Sequence, residues 1–405
     1  MRAMLCTVMA MAVGTAACGA DPASDEDWPR WRGPRGDGIV RLASPPQKLP
    51  AQATELWKAT VGKGYSSPVA SQGRVYLFHL VESRDVLTCY DAAKGTVLWE
   101  QSYEGGYTGS YAGTRASPVI DADRIYTYGG NGDLVARQLA DGKQMWRINV
   151  LKDTSGKNQQ WGTASNPLID GDTFYVQGGL GGAAAVAVDK ATGAYRWKSQ
   201  ARGGSYASPI LVEVDKTRQL VCLANKAVHG MDAATGKTLW EQPWETEYDV
   251  NAATPIHRDG HVFVTTDYQK GCMMLKVSAT GATKLWQSDE LQCRFQPPIL
   301  DGDHLYANSE GLLKCITWPD GKLKWCARDG AMLGAGGSVV RFADKLLLLS
   351  ERGKLTLGKA TPEGWEKIGQ LALIDGREVW ATPLIHQGRL YARGPESLVC
   401  VQLDP

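Results

Sequence analysis

Seven residues, Tyr65, Arg115, Trp161, Tyr206, Asn251, Gln296 and Trp380, stand just ahead of copies of one recurring phrase in which a proline opens a short apolar run. Four rings, one guanidinium and two amides suit recognition by stacking and by a few oriented hydrogen bonds. The same residues could instead close seams between repeats. Other candidate sites read as turns. His257 and His261 lie four apart, a spacing zinc can use, but their stretch aligns with Asp170-Gly171-Asp172 and Asp301-Gly302-Asp303 and is a hairpin tip. The clusters Gly178 to Gly182 and Gly334 to Gly337 lack the Lys-Ser/Thr and the helix that receive phosphate. They are expected as turns and close backbone approaches. No Gly-x-Ser-x-Gly elbow occurs, and six scattered histidines support no hydrolytic triad. No metal or catalytic set is expected.

What must position the seven is an internal repeat. Trp57, Trp99, Trp146, Trp197, Trp240, Trp286 and Trp325 recur at intervals of 39 to 51 residues, most ending a run Asp-x-x-x-Gly-x-x-x-Trp, sharpest at Asp232 to Trp240. Their regularity marks them as packing anchors wedged between neighbouring units. The proline phrases, Ser67-Pro68, Ser117-Pro118, Asn166-Pro167, Ser208-Pro209, Thr254-Pro255, Pro297-Pro298 and Thr382-Pro383, with a degenerate copy at Ser338-Val339, make eight. Each unit therefore holds four short strands, too little chain for strand-helix-strand units, and the fold class is an all-β, eight-bladed β-propeller. Proline sits at the mouth of the first strand, where no ladder donor is needed. The residues ahead of it then enter the innermost strand and ring the channel mouth. The last copy stops before any Gly-x-x-x-Trp, while Glu55-Leu56-Trp57 is a last strand without a blade. The termini are expected to share one blade, with Trp57 beside Val399. Two insertions, Tyr103 to Thr114 and Lys152 to Ala164, map to loops on one face.

With 405 residues, 43% hydrophobic and 21% charged, the chain can build a large core. Its 44 Lys and Arg against 43 Asp and Glu give a formal charge of +1, so no global field favours nucleic acid. Residues 1–18 read as a secretory signal, 19–54 as a tether and N-terminal extension, and 55–405 as one propeller domain. Small residues before Cys18 resemble the lipobox of bacterial lipoproteins, which makes Cys18 the candidate lipidation site and sole membrane contact. Thr15 stands where that pattern carries leucine, so cleavage near Cys18 or Ala20 without acylation stays open. Either way the chain is expected to be exported, to the periplasm or the outer membrane. Cys89, Cys222, Cys272, Cys293, Cys315, Cys326 and Cys400 are scattered singly, against a zinc knuckle or c-type haem. They read as small apolar strand residues, with Cys315–Cys326 and Cys272–Cys293 as the pairs able to bridge. Arg30, Arg32 and Arg35, interleaved with Trp28 and Trp31, are expected to pack over one face of the ring.

The run Asp232 to Trp240 resembles the tryptophan-docking motif of pyrroloquinoline quinone (PQQ) enzymes. Residues 28–403 resemble the PQQ-like repeat proteins, through Trp28 to Gly38, Asn251 to Pro255, Leu348 to Gly353 and Ala360 to Gly364. A relative of known role is the lipoprotein scaffold of the outer-membrane barrel-assembly machinery, with the same architecture and no cofactor. The resemblance implies two readings. In one, the propeller is a non-catalytic envelope scaffold gripping a protein or glycan. In the other, it is a PQQ-dependent alcohol or aldehyde dehydrogenase using PQQ and Ca²⁺. Dehydrogenases of this kind are longer, with adjacent bridged cysteines and a Glu/Asn/Asp calcium set beside a catalytic Asp. This chain has no Cys-Cys pair, and its longest insertion supplies one Asp, Asp153, so the scaffold without cofactor is the expected function.

Overall fold

The computed structural model of the chain describes residues 27–42 and 46–403, the side chains of 328–331 apart. The secretory segment and Cys18 lie outside the described residues. Eight antiparallel sheets follow one another as blades, each entered from its innermost strand. Blade one is Val69–Ser71, Arg74–Val81, Arg84–Asp91 and Val97–Glu104, and blades two to six repeat this pattern from Val119, Leu168, Ile210, Ile256 and Ile299. Blade seven runs from Ser338–Phe342 to Gly364–Ala372. One short helix, Val150–Asp153, and one 3-10 turn, Glu247–Asp249, are the helical segments among the described residues.

Blade eight joins both ends of the chain. Leu384–His386, Arg389–Arg393 and Ser397–Gln402 are completed by Thr54–Thr60 from the N-terminal side. Trp57 pairs with Cys400 and Lys58 with Val399, one residue from the expected register. The offset comes from a bulge between Glu55 and Trp57. The same irregularity precedes the tryptophan in the first six blades: Cys89 faces Trp99 and Tyr90 faces Val97, so Leu98 is skipped. A bulge re-aims the following side chain. Here it turns the indole onto the neighbouring blade and leaves the skipped residue outside, which accounts for the exposure of Leu56, Leu98, Met145 and Leu285.

The Asp-x-x-x-Gly phrase is the receiving half of this joint. Asp91 Oδ1 accepts the amides of Ala93 and Lys94 at 2.9 Å, closing the turn that Gly95 finishes at φ +70°. A Cβ on Gly95 would come within 2.5 Å of the Trp57 indole, and one on Gly236 within 2.5 Å of Trp197. Glycine is thus required twice, for its φ and for the ring above it. Trp57, Trp146, Trp197, Trp286 and Trp325 each donate Nε1–H to a carbonyl of the next blade's turn, at Ala92, Lys190, Ala233, Pro319 and Thr361, over 2.8–3.1 Å. Trp99 lies on Gly142 of the next turn. Trp240 departs, bonding Gln219 Oε1 of its own blade at 2.7 Å. Its neighbour's hairpin is closed by a tighter bond, Ser278 N to Gly281 O where the sister turns span Asp91 N to Thr96 O, and offers no glycine at the docking position.

All seven described cysteines are free. Cys315 lies opposite Trp325 and Cys326 opposite Lys314, so the two sulfurs project from opposite faces of the sheet and do not bridge. Cys272 and Cys293 stay unbridged in the core beside Met274 and Leu305. The His257–His261 stretch is a hairpin, with Ile256–Arg258 returning as His261–Thr266.

The segment from Asp27 to Val40, expected as a tether packing over one face, enters the ring instead. Trp28 exchanges two backbone bonds with Ala70 of blade one, at 2.8 and 2.9 Å, and Pro29 accepts the amide of Ile120 in blade two at 2.7 Å. The chain then turns through Gly33, Gly36 and Gly38, all at positive φ. Ile39–Val40 pairs parallel with Ser338–Phe342, giving blade seven a fifth strand. The segment is a plug that crosses the channel from blades one and two to blades six and seven. Trp28 is 1% exposed and Arg32 6%, with Arg32 donating to Asp37 O at 2.9 Å and Pro298 O at 2.8 Å.

Candidate functional site

The small residue before each proline has a structural task. Its amide lies at the strand mouth, beyond the ladder, and a buried N–H needs an acceptor. The next blade supplies it. Thr382 N–H donates to Ser67 Oγ (2.8 Å), Ser67 to Ser117 Oγ (2.9 Å), Ser117 to Asn166 Oδ1 (2.7 Å), Asn166 to Ser208 Oγ (2.9 Å) and Ser208 to Thr254 Oγ1 (3.3 Å). Five bonds run head to tail through six blades, a girdle around the channel. Blade six breaks it with Pro297, which has neither amide hydrogen nor hydroxyl. The plug covers this gap, with Arg32 on Pro298 O and Trp31 Nε1 donating to Thr382 Oγ1 at 3.1 Å.

Above the girdle opens a funnel of about 260 Å³ with Trp31 among its lining. The position three residues before each proline lines it in all seven regular blades: Tyr65, Arg115, Ala164, Tyr206, Ala252, Phe295 and Trp380. Trp161 and Gln296 also line it, so six of the seven residues read from the sequence are brought together. Asn251 is not. It is fully buried, its amide donating to Ala224 O at 2.8 Å and its Oδ1 accepting from Thr266 Oγ1 at 3.0 Å. The in-register residue is Ala252, and strand alternation turns the adjacent Asn251 away from the funnel.

The rings form two walls. On one side Tyr65 stacks on Trp380 (4.7 Å, 28°), with Phe295 at 5.0 Å and Tyr111 at 5.4 Å from Trp380. Trp380 can lie flat there because blade seven places Gly336 beneath it, where a Cβ would come 2.0 Å from the indole. On the other side Trp161 packs with Tyr206 at 6.2 Å, the Trp161 amide donating to Tyr206 Oη at 3.4 Å. The two insertions meet at Tyr107, which donates to Gln160 O at 2.6 Å.

Two guanidiniums are the charged groups of the lining. Arg115 lies over Tyr107 at 5.0 Å and over Tyr65 at 5.6 Å, and donates to the carbonyls of Gly113 (3.0 Å) and Tyr111 (2.6 Å). Burial lowers its pKa from the ordinary value. Arg294 lies over Tyr268 at 5.3 Å and spends its Nε on Asp267 at 2.6 Å. Tyr65, donating to Glu378 at 3.2 Å, is raised to about 12, first by burial and then by the Glu378 charge. Burial likewise raises Tyr206 to about 12. Both phenols are neutral near pH 7 and serve as donors and stacking faces. No carboxylate and no thiol line the funnel among the described residues.

Sequence reading took one residue per blade and so passed over Arg294 and Phe295, the two residues before Gln296. Tyr107 and Tyr111 were signalled by the tyrosines of the first insertion. Tyr268 and the plug's Trp31 carry no repeat signal.

The family model described as outer membrane protein assembly factor BamB matches residues 48–212, 83–327 and 224–404, overlapping as repeats do. No curated protein matches the chain by sequence. Among solved structures, BamB from Moraxella catarrhalis aligns with TM-score 0.61 and 16% identity, over 87% of this chain and 98% of that one. Quinohemoprotein alcohol dehydrogenase from Comamonas testosteroni aligns with TM-score 0.65 and 14% identity, over 94% and 81%. The computationally designed Ika8 protein gives 0.58 and 10%, over 86% and 99%. At these identities the likeness is one of fold, and one ring serves a dehydrogenase and a designed protein alike.

Proposed function

The chain belongs to the family of the outer membrane protein assembly factor BamB, and on that footing we propose that it is a non-catalytic scaffold of the cell envelope, holding a protein partner through the funnel face of its ring. The observation that carries this reading is the chemistry of the lining. Rings and guanidiniums bind and orient, and no group placed among them can take a proton from an alcohol near neutral pH.

What weighs against the dehydrogenase reading is the donor set. Calcium takes six to eight oxygens, several from carboxylates. The carboxylates that bond the lining are each held by one of its side chains, Glu378 by Tyr65 and Asp267 by Arg294. Among the described residues no three His, Cys, Asp or Glu converge to hold an ion. The sequence has no adjacent cysteines to close a ring against a quinone. The residues present do not fit a calcium–quinone centre.

In the proposal the chain is exported and sits in the periplasm or at the outer membrane, anchored through Cys18 where acylation occurs. The plug bears on orientation. Asp27 meets Ser71 at the hairpin end of blade one, opposite the funnel mouth, so a tether would leave the funnel face turned away from its membrane. Capture on tagged full-length chain from detergent-solubilised envelopes is the test. An envelope protein enriched above a mock capture is expected. Dye reduction by alcohols after incubation with PQQ and Ca²⁺ would instead establish the dehydrogenase.

A further inference from the structure

We propose that the funnel is a receptor for an aromatic side chain borne beside a carboxylate on an extended segment of a partner protein, with the ring between the two aromatic walls and the carboxylate on Arg115. This rests on the scaffold reading and names the chemistry of its partner.

The hydrogen-bond balance of the lining points there. Ser67, Ser117, Asn166 and Ser208 already accept a neighbour's amide in the girdle. What remains is an excess of donors. Arg115 is bonded only to carbonyls and faces no carboxylate, and Arg294 uses one nitrogen on Asp267. A half-buried guanidinium without a counterion is completed by an anion, and a planar fork matches a carboxylate in particular.

Charge and size exclude the other guests of aromatic pockets. Aromatic cages bind quaternary ammonium and methylated lysine, but the Arg115 guanidinium, with no carboxylate partner, repels a cation. A neutral oligosaccharide offers no charge to Arg115, and the girdle oxygens that could take its hydroxyl protons each already accept a neighbour's amide. The volume of about 260 Å³ lies below the ~300–1,000 Å³ of sites that enclose whole drug-sized ligands. It suits one large side chain whose backbone runs across the mouth. Stacking geometry agrees: Tyr65 and Trp380 present a continuous face, and Trp161 with Tyr206 stands opposite.

The test titrates the full chain with three capped dipeptides, N-acetyl-tryptophyl-glutamate amide, its glutamine analogue and N-acetyl-alanyl-glutamate amide, by calorimetry. The acidic tryptophan peptide is expected to saturate. The glutamine analogue should bind about tenfold more weakly, the factor that corresponds to one charge-assisted bond. The alanine peptide should not bind. Arg115→Gln should abolish the tenfold preference and Arg115→Lys keep part of it, with the melting of each variant recorded to show that the chain stays folded at the titration temperature. Equal affinity for the acid and its glutamine analogue would overturn the inference. So would saturable binding of cellotriose in place of the peptides, or a preference unchanged in Arg115→Gln. If the peptides fail while envelope capture persists in Arg115→Gln, the receptor falls and the scaffold stands. If wild-type capture fails, the scaffold reading falls on its own.

Discussion

Asp85 shows how far a single side chain in this ring can be held from its ordinary state. It is 1% exposed at the seam of blades one and two, where Gly106 and Gly129 press against its oxygens. Neither oxygen meets a donor at bonding geometry among the described residues. Tyr103, Asp133 and Arg147 face it. Burial lifts its pKa from 3.8 to about 7, with Asp133 adding to the rise and Tyr103 and Arg147 opposing it. The folded state therefore holds a proton that the unfolded chain releases between those values, so stability falls as pH rises through the window. His79 acts in the opposite sense: burial, and then Arg393, hold it near 3, so below 6.5 the unfolded chain takes the proton and stability rises with pH. Comparing wild type with Asp85→Asn isolates the first effect. The variant is expected to gain stability relative to wild type as pH rises from 3.8 to about 7. That gain should approach but not exceed about 4 kcal/mol, at roughly 1.4 kcal/mol for each tenfold change in proton affinity. Urea unfolding across that range is the measurement, and parallel curves for the two proteins would remove Asp85 as the source.

At the scale of elements, the joint between blades was largely legible in the sequence, because each half of it recurs. Asp-x-x-x-Gly predicted the turn, the tryptophan predicted the anchor, and alignment among sister copies corrected the false signals, such as His257 and His261. What the repeat could not show was the bulge at Leu56 and Leu98, which shifts register by one without leaving a residue-type signature. It also misled at Asn251, a conspicuous polar residue one position out of register with the alanine that lines the funnel. The plug was least legible, since a segment present once has no copy to align. Its arginines were expected to pack over one face, whereas Arg32 is drawn down to about 10 by burial and closes the girdle's gap at Pro298. Arg32→Ala should leave that carbonyl and Asp37 O unsatisfied and cost about 1.5–3 kcal/mol, the range for bonds to a charged group. Thermal unfolding measures the loss, and limited proteolysis should then cut within residues 28–40. Resistance equal to wild type would mean that Trp28 and the Ile39–Val40 pairing hold the plug without it.

For the molecule as a whole, closure decides whether eight sheets make one cooperative unit. Each sheet packs its faces on its two neighbours, and an open row of such units can fray from its ends. Here the ends are one blade: Ser397–Gln402 pairs on one side with Arg389–Arg393 and on the other with Thr54–Thr60. Deleting residues 397–405 removes the strand common to both pairings. Leu398, Val399, Val401 and Leu403, each at most 3% exposed, leave with it. At ~1.5–3 kcal/mol for each fully buried aliphatic side chain, the loss is about 6–12 kcal/mol. That compares with the 5–15 kcal/mol by which whole domains are stable. The truncated chain is therefore expected to lose its single cooperative transition, and its two uncovered strand edges should drive self-association. Denaturant unfolding followed by fluorescence and by circular dichroism should give non-coincident curves, with light scattering showing oligomers. Coincident curves at the wild-type midpoint would mean that docking of the blade tryptophans binds the ring without a sealed blade, and the shared sheet would then be a consequence of the fold and not its lock.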